Sequence, residues 1–253
     1  MTPEIPFRRN AVEPVQCIKG GLELIKNHYW LFVGMTLVAL LIGSAVPLGI
    51  LLGPMMCGLY LAMFKNRRGE SIEFGTLFKG FDYFGQSVVA ALLHTIPIIA
   101  IVVPAYLLFY VFMFVSMAAA GAGAGPGDEP SPAPFLGVMV LFGLFWIVVM
   151  LVILIITIGF TFAYPLIVDR KMQGFDAVKL SFKAAFANFW RLLGMVLLTS
   201  LLSILGLLAC YVGMFLVMPI GYAAIAKAYE QVFGLSDGME MSSNLPPPPP
   251  VFE

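Results

Sequence analysis

Four stretches of this chain carry no charged residue at all: 27–64, 85–127, 130–168 and 192–226. Each exceeds the ~20 residues that cross a bilayer as a helix. A soluble fold would have to bury all four. With 60% hydrophobic residues and 11% charged ones, it lacks the polar surface to do so. The expected class is an all-α, polytopic membrane helical bundle.

The segments between these stretches repeat one plan. After an irregular N-terminal tail, 1–14, the apolar positions Val15, Ile18, Leu22, Ile25 and Tyr29 recur at helical spacing, with Lys19, Glu23 and Lys26 on the other face. Such a helix lies in the membrane interface, and Trp30 marks where the chain enters the hydrocarbon. The apolar run that follows, about 36 residues, would measure ~54 Å as one helix against a ~30 Å core. Gly43, Pro47, Gly49 and Gly53-Pro54 offer breakpoints, so it reads as two short spans with an apex at 43–47.

A second amphipathic helix starts after Lys65-Asn66-Arg67-Arg68-Gly69-Glu70. Ser71 is the expected cap, Phe74, Leu77, Phe78 and Phe81 the apolar face, and Lys79 stands opposite. A third runs over 176–189, with Val178, Phe182, Ala185 and Phe189 on one face and Lys179 and Lys183 away from it. The spans after these are expected over 85–116 and 135–168, and over 190–229 with an apex at 206–213. The fold class is thus six transmembrane helices as three hairpins, each preceded by an interfacial amphipathic helix. One membrane domain, 1–233, would contain an outer Ala/Gly/Pro linker at 118–134 and be followed by a disordered proline-rich cytoplasmic tail, 234–253.

Charge tests this topology. All 14 Lys and Arg residues fall on the side shared by both termini, and the opposite side receives only Asp128 and Glu129. The positive-inside rule then places both termini in the cytoplasm. Gly43-Ser44-Ala45 resembles a signal cleavage site, but the long amphipathic segment before it argues against cleavage. Before the first and fifth spans the residues align at one offset: Trp30 with Trp190, Gly34 with Gly194, Met35 with Met195 and Lys19 with Lys179. This predicts an internal repeat, entering the membrane from the same side.

Chemistry is sparse. No Asp, Glu, Lys or Arg stands near mid-span, where proton relays and ion-coupled carriers hold theirs. His94 is the candidate cavity polar residue, and a packed, hydrogen-bonded histidine accounts for it as well. No GxSxG, HExxH, Walker or GxGxxG pattern has a credible context, and Cys17, Cys57 and Cys210 lack ligand spacing. No cofactor, no metal and no enzymatic activity are expected. The 14 acidic residues balance the 14 basic ones, which removes nucleic acid as a partner.

The candidate lipid-headgroup contacts are Lys19, Lys26, Lys65, Arg67, Arg68, Lys79, Lys179, Lys183 and Arg191, each worth about 1 kcal/mol beside an anionic leaflet. Pro246, Pro247, Pro248, Pro249 and Pro250 form a candidate partner-binding tail. The expected function is a non-enzymatic integral membrane scaffold or accessory subunit that binds protein partners, lipids or a second copy of itself. The alternative is an uncoupled channel or carrier for lipidic or small neutral solutes.

Gly53-Pro54 with Gly58-Leu59-Tyr60, then Arg68-Gly69-Glu70 leading into Leu77-Phe78-Lys79-Gly80-Phe81, mark a resemblance. So do Tyr164-Pro165 through Asp169, and Pro219 before Ala228-Tyr229. The chain resembles uncharacterised bacterial multi-pass membrane proteins of a domain-of-unknown-function type, related to the membrane domain of some glycerophosphodiester phosphodiesterases. The resemblance implies an all-helical protein of the bacterial inner membrane and brings no activity or site residues.

Overall fold

Helix is the only regular structure in the computed structural model, which describes residues 5–122, 133–208 and 212–236. In chain order come α1 (Pro14–Ile25), α2 (Tyr29–Ala45), α3 (Leu52–Arg67), a 3-10 helix (Phe74–Tyr83) and α4 (Phe84–Ala122). Then follow α5 (Ala133–Gly159), α6 (Ala163–Arg170), α7 (Gly174–Ala187), α8 (Phe189–Leu208) and α9 (Val212–Phe233). Among the described residues, four helical stretches are long and apolar enough to cross a membrane: Pro14–Ala45, Phe74–Ala118, Met139–Arg170 and Phe189–Leu208. At 16 residues, α3 measures about 24 Å, less than the ~30 Å hydrocarbon core. Residues 1–4, 123–132, 209–211 and 237–253 lie outside the description, and with them most of the expected linker, Cys210 and the five tail prolines.

The chain divides into two compact units, residues 1–92 with 158–253, and residues 93–157. In the first, α3 sits at the centre. It is buried on every side, from Gly53 to Tyr60 and again at Ala62, Met63 and Phe64, as expected of a helix apolar all round. Small residues let its neighbours approach. A Cβ on Gly58 would overlap the Leu77 carbonyl, and one on Gly80 would overlap that of Pro54, so α3 and the 3-10 helix touch backbone to backbone. Phe64 of α3 reaches Tyr229 of α9, with ring centroids 5.6 Å apart, and Tyr229 lies 6.4 Å from Phe162 just before α6. These rings join α3, α6 and α9 in one core.

Helix boundaries follow the proline and glycine signals with two shifts. The first break lies at 46–51 and not at 43–47: Val46 is extended, and Leu48 and Gly49 are left-handed at φ +65°. Gly43 stays helical, because its bare face admits Leu52 of the returning helix; a Cβ there would lie 3.1 Å from the Leu52 Cα. The second shift breaks the expected continuous span 135–168 at 160–162, between α5 and α6. The buried Ser181 hydroxyl bridges this break, accepting from the Phe162 N–H at 3.0 Å and donating to the Gly159 carbonyl at 2.6 Å. Glu73, rather than Ser71, caps the 3-10 helix, in a reciprocal box with Thr76. The expected apex at 206–213 lies partly outside the description, but its flanking glycines touch: a Cβ on Gly206 would come within 2.7 Å of the Gly213 oxygen.

The three amphipathic helices bury against the protein only part of the apolar face read from the sequence, together with small residues beside it. In α1 the buried residues are Cys17, Gly21 and Ile25, packed on α9, while Val15 and Leu22 are exposed. In the 3-10 helix Thr76, Leu77 and Gly80 are buried, and Phe74, Phe78 and Phe81 face out. In α7 the buried set is Ala177, Val178, Ser181, Ala184 and Ala185, with Phe175 and Phe186 outside. Small residues permit close helix contact; large apolar ones serve the outward surface.

Residues 5–13, ahead of α1, have no helix or strand but are stitched down. The Arg8 N–H donates to the Val232 carbonyl at 2.9 Å, and the Glu13 N–H to Gln231 Oε1 at 2.9 Å. The fully buried Asn188 side chain accepts from the Ala11 N–H and donates to the carbonyls of Arg8 and Ala184. Asn188→Ala strands the Ala11 and Arg8 groups and is expected to cost about 2 kcal/mol. Tryptic cleavage after Arg8 and Arg9 should accelerate while cuts within the helices do not, and an unchanged digestion pattern would contradict this fastening.

In the second unit α4 and α5 meet through aromatic rings. Phe109 stacks on Phe142 at 3.9 Å, and Tyr106 lies edge-on to Trp146 at 5.0 Å. Their outer surfaces remain apolar and exposed, from Leu107 to Val115 and from Val140 to Leu151.

Candidate functional site

The carboxyl-terminal ends of α3, α6 and α9 come together, and with them many of the charges of the first unit. Arg67 Nε lies 3.3 Å from Glu230 Oε1, and Lys227 Nζ 2.8 Å from Glu230 Oε2. Lys65 and Arg68 flank Glu70 at 3.4 and 2.7 Å. The hydrogen bond from Arg68, with the neighbouring Lys65, holds the Glu70 carboxyl below the usual carboxylate range. The exposed Glu70 pairs therefore persist at neutral pH and dissolve only as pH falls through that lowered value, at little cost to stability.

Deeper between the helices lies Asp169, with its side chain only 1% exposed. Its Oδ2 accepts from the Tyr229 hydroxyl at 2.6 Å and faces Arg170 Nε at 3.2 Å; its Oδ1 accepts from the Ser236 hydroxyl at 2.9 Å. Arg170 Nη2 also donates to the carbonyls of Phe233 and Gly234, both at 3.2 Å. The start of the expected tail, 234–236, is thereby tied to α6. Beside this cluster opens a cleft of about 520 Å³. Leu61, Phe64 and Val168 give it an apolar wall, and Arg68, Arg170, Lys171, Tyr83 and Ser236 its polar one. A second recess, about 370 Å³, lies between α1, α3 and α9, where Asn66, Arg67, Lys227 and Glu23 line it.

The nine candidate headgroup contacts divide into two groups. Lys19, Lys26, Lys79, Lys179, Lys183 and Arg191 are exposed along the amphipathic helices and the start of α8. They neighbour outward-facing rings: Phe78 beside Lys79, Phe186 near Lys183, and Trp190, 80% exposed, beside Arg191. Trp30 is 74% exposed just after Lys26. Lys65, Arg67 and Arg68 instead join the ion pairs at the helix ends. Arg191 Nη1 also donates to the Val12 carbonyl at 3.2 Å, so it helps to hold the N-terminal segment. His94 is half-buried on α4 in the second unit, and it lines neither of the two recesses above. Among the described residues no group of three or more His, Cys, Asp or Glu side chains is placed to hold a metal.

Asp169, Arg170, Lys171, Tyr229 and Ser236 were not predicted as site residues. Their one signal was the Asp169-Arg170-Lys171 run closing an apolar stretch, which reads equally as a topology marker. The chain matches no protein-family model, and neither a curated protein nor a solved structure is significantly similar to it.

Proposed function

We propose that this chain is a non-enzymatic integral membrane protein that binds anionic lipids along its cytoplasmic face and serves as a scaffold or accessory subunit there. The observation that carries the reading is that exposed cations lie close in sequence to outward-turned rings: Lys26 and Trp30, Lys79 and Phe78, Lys183 and Phe186, Arg191 and Trp190. These residues, with Lys19 and Lys179, are the belt. Rings at headgroup depth and cations beside them are the two features that an anionic interface selects.

In this reading the six spans form three hairpins, both termini lie in the cytoplasm, and the bacterial inner membrane of the resembling proteins is the location. An internal repeat is supported by coincident boundaries. At the offset that aligns Trp30 with Trp190, Pro14 of α1 meets Gly174 of α7, and Tyr29 of α2 meets Phe189 of α8. The break residues also correspond, His28 at φ −126°, ψ 32° and Asn188 at φ −120°, ψ 18°. So do the buried positions Cys17, Ile25 and Met35 with Ala177, Ala185 and Met195.

The test is lipid retention by purified protein, read by mass spectrometry against mixed anionic and zwitterionic vesicles. Wild type should enrich the anionic lipid. With about 1 kcal/mol from each cation, roughly fivefold apiece, replacing Lys19, Lys26, Lys79 and Lys179 together by Gln should cut that enrichment at least about tenfold. Equal retention of both lipid classes by wild type would defeat the proposal.

A further inference from the structure

We propose that the cleft between α3, the 3-10 helix and α6 is a binding site for a phosphate group. The proposal rests on the lipid-binding reading above, which makes the phosphate that of an anionic lipid headgroup. Three cations line the cleft, Arg68, Arg170 and Lys171, against the single carboxylate of Asp169. That carboxylate is committed to Tyr229, Ser236 and Arg170, and Arg68 pairs with Glu70 at 2.7 Å, so the charge the cleft keeps beyond these pairs is that of Lys171. Tyr83 and Ser236 add hydroxyls to the same wall, and Leu61, Phe64 and Val168 offer an apolar surface beside them. A cationic wall next to an apolar one suits an amphiphile whose charged end is a phosphate.

The backbone at Lys171 is the independent observation. Left-handed residues follow α3, α6 and α9, and after α3 and α9 they are glycines, Gly69 at φ +75° and Gly234 at φ +67°. After α6 it is Lys171, at φ +50°. Glycine adopts this conformation without steric cost and lysine does not. A glycine would end the helix here without that cost, as it does after α3 and α9. The strained lysine places its side chain in the wall of the cleft, and it has no ion-pair partner among the described residues. Strain retained at a position whose side chain lines a cavity is the usual mark of a binding role.

This makes Lys171→Gly a discriminating variant, since it relieves backbone strain while removing the cation. Full-length protein in a neutral detergent would be titrated with short-chain phosphatidylglycerol, short-chain phosphatidylcholine and inorganic phosphate, with binding read by native mass spectrometry and folding by the melting temperature. Wild type should bind phosphatidylglycerol well above phosphatidylcholine. Lys171→Gly should weaken that binding at least about tenfold with no fall in melting temperature, the loss expected for one charge-assisted hydrogen bond. Arg68→Gln should weaken it too, whereas Gly75→Ala, outside both the cleft and the belt, should not; a Lys19→Gln, Lys179→Gln belt variant reports the broader reading separately. Inorganic phosphate that competes at similar concentration would support the site and name free phosphate as its source. Phosphatidylglycerol binding unaltered in both cleft variants overturns the site; if the belt variant alone then loses lipid, the broader reading still stands. If wild type prefers neither lipid, both fall.

Discussion

Gly58→Ala is expected to abolish the native fold or cost it at least about 3 kcal/mol, the severe end of overpacking. The added methyl would overlap the Leu77 carbonyl and lie 3.0 Å from the Leu77 Cα. Both are backbone atoms of an element packed along its length on α3, so no rotamer change can make room. Melting temperature in detergent is the measurement. Gly75→Ala is the control, in the same 3-10 helix but with nothing within 4 Å of the new Cβ. It should be neutral or stabilising by up to about 1 kcal/mol, because it reduces the freedom of the unfolded chain. If the two variants melt alike, the close approach of α3 and the 3-10 helix is wrong.

The second large effect concerns Asp169→Ala. Truncation removes the acceptor of the Tyr229 hydroxyl and of Ser236, and it leaves the Arg170 side chain, 12% exposed, without its carboxylate. Taking the carboxylate from a buried pair of this kind costs about 3 to 5 kcal/mol, the upper part offset by the Phe233 and Gly234 carbonyls that Arg170 keeps. Tyr229→Phe breaks one hydrogen bond to a charged group and should cost about 1.5 to 3 kcal/mol. Adding Arg170→Met to Asp169→Ala should recover part of the loss, since it removes the stranded charge. A single-variant cost under about 1 kcal/mol, with no recovery in the double, would mean that water already satisfies the cluster.

The helical class, the starts of the amphipathic helices and the exposure of Trp30 and Trp190 were all legible in the sequence. Periodicity, proline and glycine placement and interfacial tryptophan are local signals, and they act through local geometry. The protein-facing side of the amphipathic helices was legible only in part. Hydrophobicity ranks Val15, Leu22, Phe74 and Phe78 above Cys17, Gly21, Thr76 and Gly80, yet the latter are the buried ones. Beside lipid, large apolar groups have no reason to turn inward, and close packing selects small ones. The Asp169 cluster was illegible for another reason: its partners Tyr229 and Ser236 lie 60 and 67 residues away, beyond the reach of any periodic pattern.

The fastening of α1 to α9 also sets an order on biogenesis. The Glu13 N–H and its acceptor Gln231 are 218 residues apart, and Gly21 is shaped to the backbone of Ala223 and Ala224. At translation rates of 5 to 20 residues per second, α1 waits roughly 10 to 40 s for its partner to be made. Throughout that interval the face shaped around Gly21 lacks its α9 partner. The bilayer surface is the natural holding place for such a helix, so α1, made well before α9, is seated against it only late.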